Sequence, residues 1–78
     1  MSLEASATVD VRDMLCAQAL AVTDRALRAL APGQAAAVLC NAPDVEEDLL
    51  VWMRTAGHTL IERETSAPVT TLWIQRKA

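Results

Sequence analysis

The side chains of this chain best suited to chemistry are two thiols, Cys16 and Cys40, and one imidazole, His58. A thiol reacts as its thiolate, which attacks the sulfur of a persulfide or a disulfide. Cys16 falls where a short extended stretch gives way to a helical pattern. The free amides and positive dipole end of a helix start stabilise a thiolate, which makes Cys16 the candidate working thiol. The competing reading is an inert small residue at a helix start. Cys40 closes a second extended stretch, and a right-handed crossover brings that strand end to the sheet edge where Cys16 sits. Cys40 is therefore a candidate resolving thiol, with a buried structural cysteine as the alternative. A disulfide between them needs Cα atoms within about 7 Å.

The remaining candidates are weaker. A single histidine without clustered thiols or carboxylates makes a poor metal site, so no metal is expected and His58 reads as structural or solvated. Asp44, Glu46, Glu47 and Asp48 crowd the start of a second helical stretch, where negative charge complements the helix dipole. A docking surface for a basic partner is the alternative for that cluster.

The elements that must position these residues follow from hydrophobic periodicity. Thr8 to Val11 alternates as a short strand, and Ala17 to Leu30 repeats as a helix with Leu20, Thr23, Leu27 and Leu30 on one face. Pro32-Gly33 ends it. Ala35 to Leu39 is a buried strand. Pro43 opens a second helix with Val45, Leu49, Trp52, Met53 and Ala56 as its apolar stripe, and Gly57 closes it. His58 to Glu64 and Val69 to Arg76 form a hairpin through Ser66-Ala67-Pro68. The order is β-α-β-α-β-β, which predicts an α+β fold: a two-layer sandwich with a four-stranded mixed sheet and both helices on one face. In the last strand Trp73 cannot share a face with Leu72 and Ile74, so one or the other lies on the open side. An uncovered apolar face there offers a surface for a partner or a weak homodimer.

Composition narrows the function classes. At 78 residues the chain holds one domain, assigned to residues 7–78, while residues 1–6 lack a pattern and read as disordered or expression-derived. Phe and Tyr are absent and Trp occurs twice, so the core rests on aliphatics and leaves no deep pocket for a large cofactor. Seven basic against ten acidic residues give a net charge of −3, which argues against direct nucleic-acid binding. No apolar stretch is long enough to span a bilayer. Two cysteines without a signal peptide argue against a secreted disulfide scaffold, so a cytoplasmic location is expected.

From Val9 through Lys77 the chain resembles the TusA (SirA-like) sulfur-carrier family. Its signature is Cys-Pro-x-Pro, and the matching stretch here is Asp13-Met14-Leu15-Cys16-Ala17-Gln18-Ala19. Pro32-Gly33, Pro43, Gly57-His58 and Arg76-Lys77 resemble further landmarks of the family. The resemblance implies a fold similar to the C-terminal domain of translation initiation factor three. It also implies a persulfide carried on Cys16, received from a cysteine desulfurase or rhodanese and passed to an acceptor protein, without a cofactor. The family's role is that of a sulfurtransferase-like carrier rather than a free-standing turnover enzyme.

The departures lie around the thiol. Ala17 and Ala19 replace both motif prolines, leaving the helix start less preorganised. Asp13 stands where the family has glycine, and its carboxylate would oppose a thiolate unless Arg12 offset it. Ala42, preceded by Asn41, replaces an aspartate before the second helix. A TusA-like binding module that has lost sulfur chemistry is accordingly the alternative function.

Overall fold

A computed structural model describes residues 5–77 of the chain. Along it run β1 (Ala7–Asp10), α1 (Cys16–Arg28), β2 (Ala35–Cys40), α2 (Pro43–Ala56), β3 (Thr59–Ser66) and β4 (Val69–Gln75). The sheet order is β1-β2-β4-β3, with β1 parallel to β2 and the other neighbours antiparallel. The expected two-layer α+β sandwich is the observed fold.

Most element limits match the sequence reading within a residue or two. Ser6 donates its N–H to the Ala35 carbonyl at 2.8 Å, and Val11 to that of Leu39 at 2.9 Å, so pairing extends beyond both ends of β1. The unpatterned segment 1–6 thus has a residue tied to the sheet; residues 1–4 lie outside the described residues, as does residue 78. α1 starts at Cys16, one residue before the expected limit, and stops at Arg28, with Leu30 buried beyond it. Its buried stripe is Ala19, Thr23 and Leu27, at four-residue spacing, while Leu20 is only half-buried.

α2 begins with Pro43 in its first turn and buries Val45, Leu49 and Met53 at the same spacing. Gly57 follows in the left-handed conformation at φ 86°, which favours glycine at a helix C-terminus. These stripes meet Val9, Ala36, Val38, Leu72 and Ile74 from the sheet in one core.

The open question about β4 is resolved by burial. Leu72 and Ile74 are fully buried in the core, so Trp73, half-buried, lies on the opposite side of the sheet, paired with Ala37 and Glu62. β3 is an edge strand with a register irregularity between Leu60 and Glu62, which leaves Ile61 exposed. Charged residues along it discourage pairing with another chain. β3 reaches Ser66, so only Ala67-Pro68, joined by a cis peptide bond, separate it from β4.

Candidate functional site

The segment between β1 and α1 is fixed by local hydrogen bonds. Arg12 lays its guanidinium on Asp10, with Nε to Oδ1 at 2.9 Å and Nη2 to Oδ2 at 2.8 Å. That fork, together with the Arg12 backbone N–H, lowers the Asp10 carboxyl to about 2. Asp13 adopts a positive φ of 63°, a conformation in which a side chain is ordinarily disfavoured. Asn41, at the end of β2, holds it from both directions. The Asp13 N–H donates to Asn41 Oδ1 at 3.0 Å, and Asn41 Nδ2 donates to Asp13 Oδ1 at 2.9 Å.

Leu15 follows as the extended residue before the helix, with 80% of its surface exposed, and Cys16 opens α1 partly exposed. Ala17 and Gln18 project to solvent, whereas Ala19 is fully buried. The N–H of Ala19 donates to the Leu15 carbonyl at 2.9 Å, the first bond of the helix ladder. A proline at that position has no N–H to give, so alanine here secures the first turn in a way the motif residue does not.

The surroundings of the Cys16 sulfur come from α2. Asp44 accepts the N–H of Val45 on Oδ1 at 3.0 Å and the Cys16 thiol on Oδ2 at 3.7 Å. Asp48, burial and Asp44 together push the thiol up to about 11. These influences oppose the thiolate that position at a helix start was expected to favour. Nor are the opposing charges those read from the sequence: Asp13 is held by Asn41, and Arg12 is committed to Asp10 rather than offsetting a charge at Cys16. Asp44 and Asp48 are spaced i,i+4, which places them on one helix face. That spacing was the available signal; helix-dipole complementarity alone did not distinguish these two acids from Glu46 and Glu47.

Cys40 lies elsewhere in the site region. It is 1% exposed, its Sγ donates to the Thr70 carbonyl at 3.6 Å, and burial pushes its thiol up. It lines a cleft of about 660 Å³ between the start of α2 and the β3–β4 hairpin, crossed by an Arg63 Nε–Glu46 Oε2 ion pair at 2.7 Å. Both cysteines are free, and the two thiols have separate hydrogen-bond partners. His58 accepts the Lys77 N–H on Nδ1 at 3.1 Å and lies 5.4 Å from the Trp52 ring, which fits a structural role. Burial and the nearby Lys77 and Arg76 charges lower its pKa. No group of three potential metal ligands occurs among the described residues.

Known proteins resemble this chain in sequence and in fold. The family model described as Sulfurtransferase TusA matches residues 7–76. The chain belongs to the TusA family. It is 24% identical to a putative sulfur carrier protein, YrkI, of Bacillus subtilis (strain 168), over 95% of this chain and 99% of that one. It is 27% identical to the sulfur carrier protein TusA of Pseudomonas aeruginosa (strain LESB58), over 100% of this chain and 99% of that protein. The crystal structure of a SirA-like protein from Desulfitobacterium hafniense superposes with a TM-score of 0.79. At 20% identity it covers 92% of this chain and 99% of its own length, and supports the fold.

Within the TusA frame, the departures at positions 13, 17 and 19 acquire physical meaning. The Asp13 backbone takes the left-handed conformation that suits the family's glycine, and the Asn41 clamp accompanies that substitution. Ala17 is a solvent-facing substitution, while Ala19 is part of the core.

Proposed function

We propose that this TusA-family protein is a sulfur carrier that receives sulfane sulfur as a persulfide on Cys16 and passes it to an acceptor protein. The observation that carries this reading is the contrast between the thiols: Cys16 is partly exposed at the start of α1, whereas Cys40 is buried. Leu15, prominently exposed beside Cys16, offers an approaching protein an apolar contact next to the sulfur. The donor is a cysteine desulfurase or rhodanese type of protein, and the exchange requires no cofactor. Cys40 acts as a structural thiol in this scheme rather than a resolving one. The proposed setting is cytoplasmic.

The test is intact-protein mass spectrometry after incubation with a persulfide-bearing donor. A gain of one sulfur atom is expected in the parent and Cys40→Ser proteins and not in Cys16→Ser. Equal gain in Cys16→Ser would refute the assignment.

A protein-binding module is the second reading, favoured by the position of the Cys16 thiol pKa well above its ordinary range. The half-buried Trp73 on the open sheet face would then contribute to a partner or homodimer surface. Retention of a partner complex by Cys16→Ser, with no sulfur gain by the parent, would favour this module.

A further inference from the structure

The Cys16 sulfur meets Asp44 of another helix, and no ion pair among the described residues places a cation on Asp44 or Asp48. Asp44 is oriented by its own helix: Oδ1 takes the Val45 N–H, which leaves Oδ2 toward the Cys16 thiol. Asp48 lies one turn further along the same face of α2. α1 has no acidic residue in its first turn. In the preceding loop, Arg12 is paired with Asp10 and Asp13 is bonded to Asn41. The other ion pairs among the described residues, Arg28–Asp24 and Arg63–Glu46, leave Asp44 and Asp48 without a cationic partner.

We propose that Asp44 and Asp48 form a carboxylate clamp that holds Cys16 as the protonated thiol in the free protein. This rests on the reading of Cys16 as the sulfur-accepting residue and adds a control on when it accepts. Transfer begins when Cys16 loses its proton to solvent against the two carboxylates. Its thiolate bonds to the outer sulfur of the donor persulfide, the donor S–S bond breaks, and the donor cysteine leaves as a thiolate that takes up a proton. One sulfane sulfur moves, with no net oxidation. The clamp keeps the thiol from reacting indiscriminately and does not prevent transfer by a donor that stabilises the ionised form.

The test is the pH dependence of iodoacetamide alkylation in a Cys40→Ser background. Removing both charges with D44N/D48N shifts the ionisation midpoint down from about 11. A return to about 9 raises the thiolate fraction at pH 7.5 about a hundredfold. Nucleophilicity falls with pKa, so the expected net acceleration is about tenfold. Glu47→Gln removes the same charge from the same helix and is expected to leave the profile near the parent's. An unchanged midpoint in D44N/D48N, or an equal shift in Glu47→Gln, overturns the clamp.

If the double variant does not fold, as judged by circular dichroism, D44N and D48N are measured singly. Each is expected to lower the midpoint, and no shift in either overturns the proposal. Alkylation reads the clamp and sulfur loading reads the carrier function, so failure of one is distinguishable from failure of the other.

Discussion

The Oδ2 atom of Asp44 stands 3.7 Å from the Sγ of Cys16, joining residues 28 positions apart at the starts of the two helices. This contact puts an acidic group from α2 beside a thiol that its own helix start would otherwise favour ionising. Nearby carboxylates disfavour a thiolate, and burial acts in the same direction. Asp48, burial and Asp44 all push the Cys16 thiol up.

The two thiols should react at different accessibility limits. At a pH where both can ionise, Cys16 is expected to be labelled in the folded protein, while Cys40 is labelled only when the structure opens. Time-resolved alkylation followed by peptide mapping, with and without denaturant, checks this. Native-state labelling of Cys40 at the Cys16 rate would contradict the burial difference.

A second expectation concerns acid. Arg12 holds the Asp10 carboxyl at about 2, below the ordinary range. Its folded pKa is depressed, so its contribution to stability is present above the unfolded value of about 3.9 and is lost as pH falls through about 2. An NMR titration of the Asp10 carboxyl should find the low midpoint. Arg12→Gln should bring it back toward the ordinary value, with no such return if the fork has been assigned wrongly.

Loss of the loop clamp should destabilise the protein more than loss of one of its bonds. Asn41→Ala removes both hydrogen bonds with Asp13. At about 0.5–1.5 kcal/mol for a typical net hydrogen bond, the expected loss is about 1–2 kcal/mol for this exposed pair. Asp13→Gly removes only the side-chain acceptor and relieves the positive φ, so its loss should be smaller. Urea unfolding with an unchanged slope is the measurement.

A buried hydroxyl gives the opposite sign. Thr23 is fully buried in α1, and its Oγ1 has no hydrogen-bond partner. Thr23→Val preserves the branched shape and removes the unsatisfied polar atom, and is expected to stabilise by about 1 kcal/mol. A lower thermal midpoint for Thr23→Val would show that the hydroxyl is satisfied in solution.

Much of the fold was legible because it rests on repeated local signals. The α2 pattern is clear: Pro43 at the first turn, Val45, Leu49 and Met53 inward, and Gly57 in the left-handed conformation. β3 was harder to read. Its irregularity after Leu60 interrupts simple alternation, and only pairing with β4 defines the resulting register. The faces of β4 were likewise a pair of alternatives until helix packing buried Leu72 and Ile74 and left Trp73 opposite.

The sequence by itself determined the order of the elements, the position of Cys16 at a helix start and its resemblance to a sulfur carrier. These depend on residue spacing, turn residues and a short motif. Only the tertiary structure brings Asp44 Oδ2 to that sulfur, because the two residues meet across the interface between two helices. It also decided that Asp13 belongs to the Asn41 clamp and Arg12 to Asp10. Electrostatics at a thiol depend on distances through space, and a one-dimensional pattern does not fix which side chains converge there.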